Sequence, residues 1–246
     1  MKSEIYEYPS GIEWVWLDLD DTLVDFRTNS RAALRLLYEQ EGLESYYPTP
    51  EEWITAYETH NHSLWDRYSR AEISQDFLRV DRFATPLAPG FTGSRKSLEE
   101  YSRRLDPVYL DLLAEQRTLV DGALELLGLL RTRGYNIGVL SNGFTDVQNR
   151  KLRNCGLADK VDLMVLSDDI GVNKPDIRLF SHAMDRSGQD VAGKHMMVGD
   201  NASTDILGAV RAGWRPIHLD ISSDTLKMAG EVLVTPSLRC ILSLKW

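Results

Sequence analysis

Short, nearly continuous apolar runs constrain this chain more than any other feature. They lie at 12–17, 137–140, 163–166, 195–198 and 216–219, and each ends at a small or acidic residue: Asp18, Ser141, Ser167, Gly199 with Asp200, and Asp220. A strand solvated on one face alternates apolar and polar residues. A run without alternation marks a strand buried on both faces, as in a parallel sheet. A weaker run at 232–234 suggests a further strand at the sheet edge.

Helical patterns fill the intervals of the second half. The segment 121–133 carries Leu124, Leu126, Leu127 and Leu130 and stops at Gly134, a residue suited to a left-handed helix end. Segments 145–154, 176–187 and 203–212 end near Gly156, after Ser187 and at Gly213. Strands alternating with helices predict an α/β fold, a Rossmann-like doubly wound parallel sheet.

One interval breaks the rhythm. Residues 24–117 hold no convincing core strand and several helix signals, so they read as an inserted all-helical domain, with 1–23 and 118–246 forming the core. Thr49-Pro50-Glu51-Glu52 has the form of a capping box with proline at the first helical position, and Ser97-Leu98-Glu99-Glu100 repeats it. Trp53, Tyr57, Leu64, Trp65 and Tyr68 fall near one helical face. That stripe reads more readily as helical core than as a platform for a base. His60-Asn61-His62 reads as exposed helix surface. Gly90 to Ser97 lacks the spacing of a phosphate loop, and helix capping explains Ser97 better.

Composition narrows the partners. A net charge of −9 over 246 residues argues against a nucleic-acid polymer. No apolar stretch approaches membrane-spanning length, and the first residues, MKSEIYEYPSGIEW, lack the apolar centre of a secretory signal. Cys155 and Cys240 are the only cysteines, which predicts no disulfide framework and fits a reducing cytoplasm. The expected state is a monomer or homodimer.

Function has to come from the strand ends, because open α/β sheets bind ligands outside the carboxyl ends of their strands. The first strand runs into Asp18-Leu19-Asp20-Asp21-Thr22, the second into Ser141-Asn142-Gly143 and the fourth into Gly199-Asp200. Lys174 follows the third strand. Carboxylates crowded into one crevice repel each other and a phosphate unless a divalent cation joins them. Mg²⁺ suits such a set, since it takes a few oxygen ligands together with water and phosphate oxygens. Asp18 and Asp200 offer carboxylates to it. An aspartate is also able to attack phosphorus, and a second acid at Asp20 to protonate the departing alcohol and then activate water. Ser141, Asn142 and Lys174 are the expected contacts to the transferred phosphoryl group. Each has a plainer reading too: Ser141 as a turn residue, Asp200 and Asp205 as helix caps, Lys174 as a surface lysine.

In that order and placement, Asp18-Leu19-Asp20-Asp21-Thr22, Ser141, Lys174-Pro175 and Gly199-Asp200 with Asp205 resemble the motifs of the haloacid dehalogenase superfamily of aspartate-dependent phosphatases. The resemblance implies that Asp18 is the nucleophile and Asp20 the acid/base. It also implies that Asp20 gives its backbone carbonyl to Mg²⁺ and Asp200 a carboxylate, with Thr22 and Asp205 in support. The insertion is similar to the family's helical cap, which closes over the site and selects substrate. Around the motifs, 142–148, 167–175 and 205–209 look like the pyrimidine 5′-nucleotidase branch, as do Leu64-Trp65, Ile73-Ser74 and Arg82-Phe83. The implied substrate is a small phosphorylated metabolite, a pyrimidine nucleoside 5′-monophosphate, with Phe26, Trp65 and Phe144 as selecting residues. Another small-metabolite phosphatase, a phosphomutase, a 2-haloacid dehalogenase and a non-catalytic binding module stay open as alternatives.

Overall fold

The computed structural model describes residues 11–244. The N-terminal segment read for a leader therefore lies, for its first ten residues, outside the described part. The chain divides into two compact units, one of residues 1–25 with 118–246 and one of residues 26–117.

The first unit is built on a seven-stranded sheet of order β3-β2-β1-β4-β5-β7-β6. The strands are β1 (Trp14–Leu17), β2 (Asn136–Ser141), β3 (Leu163–Leu166), β4 (His195–Gly199), β5 (Arg215–Leu219), β6 (Lys227–Ala229) and β7 (Val232–Thr235). All pairings are parallel except that of β6 with β7. Strand β1 lies between β2 and β4, with Leu17 level with Val139 on one side and Val198 on the other. The ends of these strands are thereby brought to one edge of the sheet.

The continuous apolar runs are explained by the packing on both faces. Val15 and Leu17 join one core cluster, with Ile137, Val139, Met196 and Val198. Trp14 and Trp16 point into a second, with Leu140, Val165, Phe180 and Trp214. Neither face of β1 is left to water, so neither carries a polar residue between Trp14 and Leu17.

Among the helices of this unit, α5 (Ala123–Thr132), α6 (Thr145–Asn154) and α7 (Ile177–Ser187) match the predicted segments. Asp176 caps α7 by accepting from the Arg178 N–H at 2.9 Å. Two expectations need correction. The run at 232–234 is not the edge: β7 sits between β5 and β6, because Gly230 in the left-handed region lets three exposed residues fold back as the antiparallel strand β6. The helix read at 203–212 opens as a wide turn over Ala202–Ile206 and becomes a regular helix, α8, only at Leu207–Arg211. Asn201 caps it, its Oδ1 accepting from Ser203 and Thr204 N–H groups at 2.9 and 3.2 Å.

The second unit consists of the helices α1 (Phe26–Glu41), α2 (Pro50–Ser69), α3 (Gln75–Leu87) and α4 (Arg95–Ala114), with no strand among its described residues. Thr49 caps α2, accepting from the Glu52 N–H at 3.3 Å, with Pro50 at the first helical position. Ser97 is not a cap. Helix α4 starts one turn earlier, where Ser94 accepts from the Ser97 N–H at 3.1 Å. Trp53, Tyr57, Phe83 and Tyr109 form the aromatic core, with Trp53 and Tyr57 5.7 Å apart and Tyr57 and Phe83 5.2 Å apart. Asn61, read as exposed, is buried, whereas His62 is exposed and His60 bonds Asp81 at 2.9 Å. No helix among the described residues is long and apolar enough to cross a membrane.

Candidate active site

Strand β1 delivers Asp18 to the sheet edge, its backbone N–H held by the Val198 carbonyl at 2.9 Å. The chain then turns sharply. Asp21 adopts a φ of +58°, a left-handed conformation that aspartate tolerates better than most residues. Its N–H donates to the Val24 carbonyl at 2.7 Å, while the Leu23 and Val24 N–H groups return to Leu19. Asp18 and Asp20, two residues apart, leave this turn in separate surroundings.

Asp18 is buried against Lys174. The Lys174 ammonium lies 2.6 Å from Asp18 Oδ1, 2.7 Å from the Leu140 carbonyl and 2.6 Å from Asp205 Oδ1. Three acceptors thus surround its three donors. Burial alone would lower the lysine pKa, but the charges of Asp18 and Asp205 outweigh it and hold the ammonium above its ordinary value. Lys174 is only 2 % exposed, which excludes the solvated-surface reading.

Asp18, Asp200 and Asp205 each bring a carboxylate oxygen within 4.8 Å of the others. Burial first, and then the charge of neighbouring carboxylates, pushes Asp200 up to about 7 and Asp18 well above the usual carboxylate range. Lys174 opposes both shifts without cancelling them. A cluster with more buried carboxylate than ammonium, built of hard oxygen donors, fits a divalent cation such as Mg²⁺. Asp205 has a second task, accepting the Asn201 N–H at 3.1 Å. Gly199 makes its approach possible, since a Cβ there would fall 2.3 Å from Asp205 Oδ2. Thr22 is fully buried and reaches Asp200 Oδ1 at 3.5 Å, the outer limit of a hydrogen bond. His218, on β5, bonds the Asp200 backbone carbonyl at 3.0 Å and steadies that loop.

Strand β2 ends in Ser141, whose Oγ accepts from Gly143 N–H at 3.2 Å and from Gln148 Nε2 at 2.8 Å. With both lone pairs engaged, its own proton is the group left to give. The side chain of Asn142 faces the Lys174 backbone. Its Oδ1 accepts the Lys174 N–H at 2.7 Å and its Nδ2 donates to the Lys174 carbonyl at 3.1 Å, so it tethers the loop that carries Lys174.

Asp20 stands apart from the carboxylate cluster. Lys151 Nζ donates to its Oδ1 at 2.7 Å and Gln148 Nε2 to its Oδ2 at 2.9 Å. Sequence reasoning missed both donors, which belong to α6. The signal was present: Gln148 and Lys151 share the buried stripe of α6 with Val147 and Leu152, where apolar residues are the rule. Of the residues read as substrate-selecting, Phe144 is buried at the start of α6, while Phe26 and Trp65 are half-buried in the helical unit. Trp65 meets Tyr68 edge-to-face, with ring centroids 5.6 Å apart.

A family model described as haloacid dehalogenase-like hydrolase matches residues 12–213. The chain belongs to that family. It is 31% identical over 201 residues to pyrimidine 5′-nucleotidase YjjG of Escherichia coli, covering 82% of this chain and 83% of the relative. It is 34% identical over 229 residues to a phosphoserine phosphatase of Thermus thermophilus, covering 83% and 87%. Among solved structures, the magnesium-bound HAD-hydrolase YfnB of Bacillus subtilis superposes with a TM-score of 0.79 at 26% identity, over 94% of this chain and 96% of the other. A 2-haloacid dehalogenase of Pseudomonas syringae shares the fold, with a TM-score of 0.63 at 23% identity over 94% and 96%. The family and its phosphatase relatives support reading this chain as a phosphatase of small phosphorylated substrates.

Proposed function

We propose that this protein is a Mg²⁺-dependent phosphomonoesterase working through an aspartyl phosphate, with a pyrimidine nucleoside 5′-monophosphate as substrate. The observation that carries the chemistry is the separation of two carboxylates from one turn: Asp18 buried on Lys174, Asp20 outside that cluster and partly open to solvent. One is set up to attack and be regenerated, the other to exchange protons.

In this reading an Asp18 carboxylate oxygen attacks phosphorus as the ester P–O bond breaks. The bonding pair leaves with the alcohol oxygen, which takes a proton from Asp20. Water then attacks the phosphoryl group, giving a proton back to Asp20, and the Asp18–phosphorus bond breaks to return the carboxylate and release phosphate. The Ser141 hydroxyl holds an equatorial phosphoryl oxygen, and Lys174 turns to another the donor that Asp18 releases as its oxygen bonds to phosphorus. The groups that would hold Mg²⁺ are the carboxylates of Asp18 and Asp200 and the backbone carbonyl of Asp20, with Asp205 supporting Lys174 and the loop of Asp200. When bound, the ion supplies the positive charge that a cluster of carboxylates needs before it accepts a phosphate.

The nucleotide is favoured by the likeness to YjjG and to pyrimidine 5′-nucleotidase PynA of Streptococcus pneumoniae, 29% identical over 217 residues. The phosphoserine phosphatase relative supports a second reading with the same mechanism and a different ester. Residues 24–117 are read as the family's cap, and Phe26 and Trp65 are the residues of that unit to substitute when selection is tested. Phosphate release from UMP, dUMP, dTMP, purine monophosphates, phosphoserine, phosphoglycolate and hexose phosphates, with Mg²⁺ and with chelator, decides both points. Asp18→Asn should abolish release while leaving the fold intact, and substantial residual turnover would overturn the mechanism. A preference for phosphoserine would replace the substrate and keep the chemistry.

A further inference from the structure

Helix α6 buries two polar side chains where its stripe calls for apolar ones. Lys151 and Gln148 lie one turn apart between Val147 and Leu152, with the Lys151 side chain 4% exposed and Gln148 fully buried. A buried lysine needs a partner, and Gln148 Oε1 has no hydrogen-bond partner at all. Leaving such an acceptor unsatisfied forfeits the hydrogen bond it made with water in the unfolded chain. Leucine or methionine would fill the same space without that cost, so folding alone does not account for the pair.

What the two residues share is one carboxylate. Their spacing along the helix presents one donor to each oxygen of Asp20, Lys151 at 2.7 Å and Gln148 at 2.9 Å. The donors are buried while the Asp20 side chain is 27% exposed, so the carboxylate is gripped from the protein side and open on the other. An ionised carboxylate only accepts, which fixes the Gln148 amide with nitrogen toward Asp20 and explains why Oε1 is stranded. The same nitrogen donates to Ser141 Oγ at 2.8 Å, linking the turn after β1 to the end of β2. Gly143 leaves the room for it, since a Cβ there would sit 2.2 Å from Gln148 Nε2.

We propose that Lys151 and Gln148 are positioning residues that fix the carboxylate of Asp20 between them and so aim it at the leaving oxygen of a phosphate ester. The inference rests on the acid/base role proposed above for Asp20. Each carboxylate oxygen keeps a second lone pair outside the clamp, so the grip does not occupy the place where a proton is carried. Its effect belongs to esters whose leaving group needs that proton. An alkyl alcohol departs poorly as its anion, whereas p-nitrophenolate departs without help.

The test compares kcat/KM, which reports the step up to cleavage of the ester bond, for p-nitrophenyl phosphate and for an alkyl phosphate that the protein hydrolyses, UMP first. Lys151→Met should lower the alkyl value by about 10–100-fold, within the range of misdirected acid–base catalysis, and the aryl value by less than a tenth as much. Lys151→Arg, which keeps charge and donors, should restore most of the alkyl value. If Lys151→Met does not fold, Gln148→Met carries the same comparison. That variant removes the stranded acceptor, so it should melt no lower than the parent while losing more on the alkyl ester than on the aryl one. Equal losses on both esters, or none on either, would overturn the proposal. Asp18→Asn, assayed alongside, separates the two levels: activity surviving there defeats the proposed chemistry rather than the clamp.

Discussion

The ammonium of Lys174 lies 2.6 Å from Oδ1 of Asp18, although 156 positions separate them in the chain. Asp205 stands at the same distance on another side of the ammonium. Removing the cation leaves two buried carboxylates facing each other. Lys174→Met should therefore destabilise the metal-free protein by about 3–5 kcal/mol, the range for breaking a buried ion pair. A divalent cation replaces part of the lost charge, so Mg²⁺ should recover much of that stability. Urea unfolding of parent and variant, with and without Mg²⁺, measures both. A variant as stable as the parent without metal would show that the ion pair is not what offsets the burial of Asp18.

A second consequence concerns pH. Asp200 is pushed up to about 7 from an ordinary 3.8, and Asp18 also lies well above its usual range, burial being the first cause of each. The folded metal-free protein therefore binds these protons more tightly than the unfolded chain does. For Asp200 that contribution to stability is complete below about pH 4, shrinks as pH rises, and is gone once pH passes about 7. Mg²⁺ competes with the same protons, so its affinity should climb from pH 5.5 toward 7.5 and level off above. Thermal melts at pH 5.5 and pH 8 should show the larger Mg²⁺-induced rise at pH 8. An equal rise at both would contradict the shifted carboxylates.

The helical unit holds a buried charge of its own. Arg82 is 2% exposed, with its guanidinium 5.3 Å from the Phe83 ring centroid and 5.1 Å from that of Tyr109. Asp106 pairs with it through Oδ1 and receives Arg79 Nε on Oδ2 at 2.6 Å. Asp106→Leu strands a cation among aromatic rings and should cost about 3–5 kcal/mol. The double variant Arg82→Met with Asp106→Leu should lose much less, because the buried cation goes with its partner and Arg79, the other cation on Asp106, is one-third exposed. Equilibrium unfolding of the two variants checks the difference, and equal losses would assign the cost to packing instead.

The sheet and the ends of its strands were legible because both follow from local pattern. Unbroken hydrophobicity between Trp14 and Leu17 marks a strand covered on both faces, and the polar residues that stop each run lie where such sheets bind ligands. The grip on Asp20 was not legible in the same way. Gln148 and Lys151 are 128 and 131 positions away from it, and polar residues on an amphipathic helix are ordinarily solvated. Val147 and Leu152 mark the stripe, but that it meets the turn after β1 depends on the sheet rather than on the helix. The tether on the Lys174 loop was hidden for a similar reason: Asn142 and Lys174 are 32 positions apart, and only the fold brings the amide to the Lys174 backbone. Strand β6 escaped notice because its three residues are all exposed and are held by pairing with β7 alone.

At the start of β4, the pH dependence runs the other way. His195 is fully buried, stacks on Trp214 at 4.9 Å, accepts the Trp16 indole N–H on Nδ1 at 3.0 Å and donates from Nε2 to the Gln189 carbonyl at 2.9 Å. One nitrogen must be bare and the other protonated, which is the neutral ring. Burial lowers its pKa from 6.5, outweighing the Gln189 carbonyl that favours a proton. The stability that the neutral ring contributes is present in full above about pH 6.5 and is lost as pH falls through the depressed folded value. Protonation would set an N–H against the Trp16 N–H in a space walled by aromatic rings. Asp18 and Asp200 push stability in the opposite direction over the same range, so the trend of the parent alone is ambiguous. The difference between parent and His195→Leu isolates the histidine, since both carry the same carboxylates. From pH 7.5 to pH 5 the parent should lose melting temperature relative to the variant, and parallel curves would mean that His195 does not titrate between its folded and unfolded states.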